Sequence, residues 1–314
     1  MNRLLSFCKA AALAAGMFLT TGFAATVERL ETPYNTIEIQ KDGSTVYMLF
    51  QVGRCSFVES ARDLARPDTL PIEYTRSMTA ALAYPERLGS ILEIGVGGAT
   101  TLSYLHRHLP ETRLTGVDID PGVIALAKKH FGAAEDKRLG FVVEDGRKHL
   151  ATAPAKHDLI LVDAYRGTWV PETLTTVEFF KLVKSRLAPG GAVAQNVEPS
   201  TLFFDGLAAT LAAVFEHVDA YPTDAFPGAV SNTVLVAYDG PKKPRGALLT
   251  RAGALQAKYK FAHPLPALVD VGRPAAFDKK VAPLRDSREQ ANTLLMIDRA
   301  NARNTPRERS EACR

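Results

Sequence analysis

Three aspartates, Asp118, Asp145 and Asp163, each follow a short apolar run of the kind that forms a buried strand. A carboxylate can accept hydrogen bonds from sugar hydroxyls, or take a proton from a reacting nucleophile. Asp118 is placed to bind two ribose hydroxyls, whereas Asp120 is better placed to cap the following helix. Because parallel strands end at one edge of a sheet, we expect the three carboxyl groups to face a single ligand.

A glycine-rich run, Gly95-Val96-Gly97-Gly98, stands between a predicted strand and a predicted helix. Glycines there let the backbone approach a ligand, and the helix N-terminus offers free N–H groups. A tight strand-to-helix turn would explain the same residues without a ligand. The dinucleotide-binding pattern needs its last glycine at position 100, which is Thr100. A nicotinamide-dependent oxidoreductase is therefore disfavoured.

Alternating strands and helices must position these residues. Apolar runs predict seven strands, at 90–94, 114–118, 141–143, 159–162, 192–197, 217–221 and 233–238. Helical spacing predicts helices at 73–82, 102–109, 121–131, 176–187, 202–215 and 248–259. This order indicates an α/β fold: a doubly wound, mostly parallel, Rossmann-like sheet with its ligand at the strands' carboxyl ends. The last two strands are expected to pair antiparallel.

Four regions are predicted along the chain. Residues 1–24 read as a secretory signal peptide cut after Ala24, with an uncleaved membrane anchor as the alternative. Residues 25–75 form a small β-hairpin region, because Asp42-Gly43 separates two alternating segments. Residues 76–240 form the Rossmann-like domain that carries the candidate ligand-binding and catalytic residues, and 241–314 a helix and a poorly ordered tail. Export would place the protein in the periplasm or outside the cell.

Composition narrows the function further. Among 314 residues, 38 are basic and 34 acidic, a balance that argues against a nucleic-acid binder. No metal is predicted, because His106 and His108 lie two apart on a helix and the other histidines lack ligand spacing. The three cysteines fit neither a zinc site nor a disulfide framework, although Cys55 and Cys313 could pair outside the cytoplasm.

The run from Ile91 to Asn196 resembles the spermidine synthases, or polyamine aminopropyltransferases, which share the fold of class I S-adenosylmethionine-dependent methyltransferases. The matching motifs lie at 94–98, 117–120, 143–146, 161–164, 174–183 and 189–191. The hairpin that begins at Tyr34 and the segment around Tyr74 also look like that family's N-terminal region. The resemblance extends to about Tyr238 and is closest to the family's spermidine-synthase-like branch.

The resemblance implies a role for each motif. Gly95 and Gly97 would line the nucleoside and thioether part of a donor, Asp118 would hold the ribose, and Asp145-Gly146 the adenine amino group. Asp163 would be the catalytic carboxylate that faces the reacting amine. The implied donor is decarboxylated S-adenosylmethionine or S-adenosylmethionine, and the partner a small-molecule amine or other nucleophile. Family members commonly associate through the N-terminal region, so a homodimer is expected.

Three departures from the family pattern concern the acceptor. Gly98 stands where the family has an aspartate that binds the donor's ammonium, and Arg166 replaces a second aspartate. Tyr74-Thr75-Arg76 replaces a Tyr-His-Glu stretch. Two gained guanidinium groups would oppose a diammonium acceptor such as putrescine, whereas an Arg166 that points to solvent would not. Trp169, in the same loop as Asp163, either closes the acceptor pocket or serves only in packing.

Two further functions stay open. A methyltransferase would use the same fold and a related donor. An exported, non-catalytic protein could keep the nucleoside cleft without turnover, which export favours because the donor is made in the cytoplasm.

Overall fold

Two β-sheets and their surrounding helices make up residues 25–52, 55–165, 170–197, 201–223 and 232–287, which the computed structural model describes. The strands are β1 (Ala25–Glu31), β2 (Thr36–Asp42), β3 (Thr45–Val52), β4 (Cys55–Asp63), β5 (Ser90–Ile94), β6 (Arg113–Asp118), β7 (Leu139–Val143), β8 (His157–Val162), β9 (Leu187–Val197), β10 (His217–Pro222), β11 (Thr233–Tyr238) and β12 (Arg273–Pro274). The α-helices are α1 (Glu73–Thr79), α2 (Thr100–His108), α3 (Pro121–His130), α4 (Gly146–Thr152), α5 (Val177–Arg186), α6 (Thr201–Ala212), α7 (Arg245–Tyr259) and α8 (Leu265–Asp270).

The larger sheet confirms the predicted doubly wound architecture. Its strand order is β12-β10-β11-β9-β8-β5-β6-β7. Strands β7, β6, β5, β8 and β9 run parallel, and β11 pairs antiparallel with both β9 and β10. All seven predicted strands are present, and the two-residue β12 adds an eighth beside β10. The carboxyl ends of β5, β6, β7 and β8 consequently meet along one edge.

Helices cover both faces of this sheet. Strands β8 and β11 are buried along their whole length, as expected for strands with a core on each side. On one face, Ile91 packs in a cluster with Leu102 of α2. On the other face, Leu92 packs in a second cluster with Phe179 of α5. Alternate side chains of each strand therefore anchor different helices, which fixes the register of the strand ends.

The N-terminal region is a four-stranded antiparallel sheet, ordered β1-β2-β3-β4, rather than a single hairpin. The predicted turn at Asp42-Gly43 joins β2 to β3. The apolar face of this sheet includes Ile37 and Met48. It packs against Val123 of α3 and against Phe131, the residue that follows this helix. These contacts place β4 beside the glycine loop that follows β5.

The region 241–314 was predicted to hold one helix and a poorly ordered tail; its described part, up to residue 287, has further ordered elements, and the rest lies outside the described residues. A second helix, α8, packs with α7 on the core, and β12 pairs with β10. The N–H of Ala275 donates to the carbonyl of Val218, and the carbonyl of Leu284 accepts from the N–H of Val177 at the start of α5. Such backbone hydrogen bonds leave no periodic pattern in a sequence, so the pattern weakens there although the chain is docked.

Helix α4 was also not predicted; it follows Asp145, which caps it. No helix among the described residues is long and apolar enough to cross a bilayer. The predicted signal peptide, residues 1–24, lies outside the described residues.

Candidate functional site

A cavity of about 430 Å³ opens where β5, β6 and β8 end. Its floor is formed by the strand ends and the glycine loop, and β4, α1 and the turn before β2 cover it. All the predicted donor-site residues line this cavity: Gly95, Gly97, Asp118, Asp145, Gly146 and Asp163. Tyr74 of the predicted substrate pocket lines it as well. The structure thus brings the predicted side chains to one site.

Asp163 lies at the end of β8, where its backbone N–H donates to the carbonyl of Ile94. Asn196 of β9 donates from Nδ2 to Oδ1 of Asp163 at 2.8 Å, and Tyr74 hydrogen-bonds the same carboxyl group. Burial raises the pKa of Asp163 to about 7, although both hydrogen bonds favour its charged form and oppose the rise. A carboxyl group with that pKa can take a proton near neutral pH.

Replacing Asn196 with alanine is expected to move the pH dependence of turnover upward by about one unit, because the charged form of Asp163 loses a hydrogen bond. The measurement is the initial rate from about pH 6 to 9. Tyr74→Phe should shift the midpoint in the same direction, since Tyr74 also favours the charged form. An unchanged midpoint in both variants would show that Asp163 is not the titrating group.

The glycine loop closes tightly against β8 and β4. Gly95 has a φ of +89°, and a Cβ there would lie 2.4 Å from the carbonyl oxygen of Asp163. No side chain fits at that position without displacing backbone. The N–H of Gly98 donates to Oγ of Ser60 at 2.8 Å, so the N-terminal sheet holds the loop in place.

Asp118 ends β6 and borders both the loop and the cavity. The N–H of Val96 donates to its Oδ2 at 2.8 Å, and the N–H of Asp120 to its Oδ1 at 2.9 Å. Burial raises the pKa of Asp118 to about 6, while these backbone donors act in the opposite direction. The carboxyl group is thereby fixed in orientation at the cavity wall.

Asp120 caps α3, as predicted, and also fastens the turn between β1 and β2. It accepts hydrogen bonds from Oγ1 of Thr32 at 2.7 Å and Nδ2 of Asn35 at 3.1 Å. This attachment places Tyr34 at the cavity, which Ile119, the residue after β6, also lines. Both side chains are about 40% exposed, at 42% and 40%, so apolar surface is available to a planar ring.

Asp145 lines the cavity and also caps a helix. Its side chain accepts from the N–H of Lys148 at 2.8 Å and so caps α4. Helix α4 begins at Gly146, where a Cβ would lie 2.3 Å from Cγ2 of Ile94. The close approach of this helix start to β5 keeps Asp145 at the sheet edge.

Two carboxyl groups that the motif analysis missed also line the cavity. Glu59 comes from β4, and Glu93 from the middle of β5. Burial raises the pKa of Glu59 to about 8 and the pKa of Glu93 well above its ordinary value, and the charge of Asp163 adds to both shifts. A charged residue inside the apolar run 90–94 was the available signal for Glu93. Glu59 lies in no motif.

Other predicted residues are not brought to the cavity. Arg166 and Trp169 lie outside the described residues, as does Cys313, so their predicted roles and the pairing with Cys55 stay predictions. Arg76 donates instead to the carbonyls of Leu70 at 2.6 Å and Pro71 at 3.0 Å. The guanidinium group of Arg76 was expected to face the acceptor, but it binds these two backbone carbonyls instead. Among the described residues, no group of three or more His, Cys, Asp or Glu side chains could hold a metal ion.

Comparison with known proteins links this site to a family. Residues 76–226 match the sequence model of the spermine/spermidine synthase domain. A polyamine aminopropyltransferase from Chromobacterium violaceum is 34% identical over 140 residues, which cover 44% of this chain and 54% of that protein. A polyamine aminopropyltransferase from Neisseria meningitidis serogroup A is 30% identical over 161 residues, which cover 51% of this chain and 61% of that protein. The matches thus span roughly half the length of these curated relatives.

Solved structures show the same fold. A probable spermidine synthase from Corynebacterium glutamicum superposes with a TM-score of 0.66 at 23% identity, covering 85% of this chain and 98% of that one. The fold is therefore the one shared by spermidine synthases and S-adenosylmethionine-dependent methyltransferases. Within that class, the matched domain and relatives make residues 76–226 similar to the spermidine synthases and polyamine aminopropyltransferases.

Proposed function

We propose that this protein transfers an aminopropyl group from decarboxylated S-adenosylmethionine to a small amine. The observation that carries the proposal is the position of Asp163, a carboxyl group held by Tyr74 and Asn196 on the cavity that Asp118 and Asp145 also line. The matched family domain covers the three strand-end aspartates. The similar curated proteins are named aminopropyltransferases, which supports the same reaction here.

The cavity suits an adenosyl group. Its volume lies in the range typical of small-ligand sites. Asp118 would accept hydrogen bonds from the ribose hydroxyls, and Asp145 would accept from the adenine amino group. Ile119 and Tyr34 would cover the two sides of the purine with apolar surface. These assignments leave Asp163 next to the sulfur substituents.

The chemistry needs an electrophilic carbon and an uncharged amine. The bound donor supplies a carbon next to a sulfonium. Attack by the amine nitrogen forms the C–N bond while the C–S bond breaks, and its electron pair stays on sulfur as a neutral thioether. The new ammonium group then loses a proton, which the carboxylate of Asp163 accepts. Tyr74 and Asn196 orient that carboxylate and favour its charged form.

Calorimetry followed by turnover assays tests the proposal. We expect methylthioadenosine and decarboxylated S-adenosylmethionine to bind and NAD not to bind. Product formation with a panel of amines, lost in Asp163→Asn, would support aminopropyl transfer. Methyl transfer from S-adenosylmethionine without aminopropyl transfer would replace the proposal with the methyltransferase function. Binding with no turnover for any amine would leave a non-catalytic nucleoside-binding protein.

We further propose that residues 1–24 direct the chain out of the cytoplasm and that the exported protein is a homodimer. Fractionation of cells that express the full chain tests the first point, with recovery in the cytoplasm as the contrary result. Light scattering of the purified protein tests the second.

A further inference from the structure

The cavity is lined by more carboxyl groups than its motifs predicted. Five carboxyl groups line it, those of Glu59, Glu93, Asp118, Asp145 and Asp163. Among the described lining residues none is Lys, Arg or His. A cation that enters such a site favours the charged form of the buried carboxyl groups, and the ionised groups in turn attract the cation. The cavity therefore favours a ligand with a positively charged, hydrogen-bond-donating group.

Glu93 is the carboxyl group with an unmet hydrogen-bonding requirement. The side chain is 2% exposed, and Thr101 of α2 hydrogen-bonds it. Its Oε2 atom is buried and has no hydrogen-bond partner among the described residues. A buried carboxylate oxygen without a donor is costly, so such atoms are normally paired. Because Glu93 lines the cavity, a ligand can supply the missing donor.

The position of Glu93 indicates which part of a ligand it would meet. Glu93 pairs with Gly116 of β6 and Leu161 of β8, which lie two residues before Asp118 and Asp163, so it lies between the ribose side and the reacting side. In an adenosyl thioether or sulfonium, the sulfur substituent lies next to the ribose. Glu93 is thus placed beside the alkyl chain on sulfur rather than at the far end of an acceptor.

The glycine loop itself offers no carboxyl group for that chain. A Cβ on Gly98 would lie 2.6 Å from Cδ1 of Phe131, whose ring is fully buried between the N-terminal sheet and α3. A side chain at position 98 would collide with this ring. In this loop arrangement the negative charge beside the donor must come from another element, and β5 provides it.

We propose that Glu93 binds the protonated amine of the donor's aminopropyl chain and so selects an aminopropyl over a methyl substituent on sulfur. The inference rests on the proposed nucleoside site and adds a specificity-determining residue to it. Oε2 of Glu93 accepts a hydrogen bond from the ammonium group, while Thr101 holds the other side of the carboxylate. The ligand thereby satisfies the oxygen that the protein leaves unpaired.

Two adenosyl thioethers, both uncharged at sulfur, test this inference by calorimetry on the full protein. S-adenosylthiopropylamine carries the aminopropyl chain, and methylthioadenosine carries a methyl group instead. We expect the wild-type protein to bind the former tighter by on the order of ten- to a hundredfold. Glu93→Gln keeps the side-chain shape and should reduce this ratio to near one. Its affinity for methylthioadenosine should stay close to that of the wild type.

Glu144→Gln is the matched control, because Glu144 pairs with Lys148 and His149 outside the cavity and its replacement also removes one negative charge. The ratio should be unchanged in this variant. The hydroxypropyl analogue provides a test in the wild-type protein alone, and it should bind no better than methylthioadenosine. Equal binding of the aminopropyl and hydroxypropyl compounds, or a parallel loss of both thioethers in Glu93→Gln, would overturn the inference. Failure of methylthioadenosine to bind the wild type would instead refute the nucleoside site itself.

Discussion

Asp163→Asn is expected to lower turnover by about a thousandfold while the affinity for methylthioadenosine stays near that of the wild type. Asparagine keeps the shape of the side chain and can still accept from Asn196, but it cannot take the proton of the new ammonium group. Single-turnover rates and calorimetry on the same preparation measure the two quantities separately. Equal loss of binding and turnover would instead assign Asp163 to the shape of the site.

Asp158→Asn supplies the control for this experiment. Asp158 lies at the opposite end of β8, where its Oδ2 accepts from the N–H groups of Gly89 at 2.7 Å and Ser90 at 3.0 Å. The substitution is chemically the same and lies in the same strand, but away from the cavity. Turnover should be unaffected in Asp158→Asn. A comparable loss in both variants would point to a general effect of altering β8.

Asp163→Asn is also expected to change the stability of the folded protein. The pKa of Asp163 rises from near 4 when unfolded to about 7 when folded. Below about pH 4 the carboxyl group is protonated in both the folded and the unfolded state, so it contributes no pH dependence to stability in that range. Between the two pKa values, unfolding releases a proton, and stability falls as pH rises by about 1.4 kcal/mol per unit. Asp163→Asn should therefore be more stable than the wild type at pH 8, by up to about 4 kcal/mol; chemical denaturation at low and high pH measures the difference.

Asp118→Ala is expected to weaken the binding of every adenosyl ligand by on the order of a hundredfold or more. The substitution removes a carboxylate that would accept two ribose hydrogen bonds, and it also frees the N–H of Val96 from its partner. Calorimetry with methylthioadenosine measures the loss. Unchanged affinity would show that the nucleoside lies elsewhere.

Asp120→Ala distinguishes a binding defect from a folding defect. Asp120 is fully buried and caps α3, so its loss should cost about 1 to 2 kcal/mol of stability. Its side chain is not part of the cavity lining, and we expect the nucleoside affinity to change much less than in Asp118→Ala. A similar loss of affinity in both variants would mean that Asp118 acts mainly by holding the loop.

The sequence was sufficient for the features that depend on local pattern. Buried parallel strands are continuous apolar runs, so β5, β6 and β8 could be located and their terminal aspartates placed on one edge. Asp120 could be assigned to a cap because Pro121 follows it. The turn at Asp42-Gly43 could be predicted for the same kind of local reason.

Features that depend on the docking of distant elements were not predictable in this way. Glu59 reaches the cavity only because the N-terminal sheet packs on α3, and no local pattern encodes that contact. Asn196 reaches Asp163 across neighbouring strands. The direction of Arg76 was misjudged because two backbone carbonyls attract it away from the cavity. Glu93 was overlooked because it was counted as part of an apolar run.

The pairing of β12 with β10 also bears on solubility. Without the residues from Arg273 onward, β10 would present a free edge of N–H and C=O groups at one side of the remaining seven-stranded sheet. Such an edge is a template for recruiting strands from other molecules. The docked C-terminal segment therefore protects this edge against aggregation, and engineered versions of this chain should retain it even though none of its described residues lines the ligand cavity.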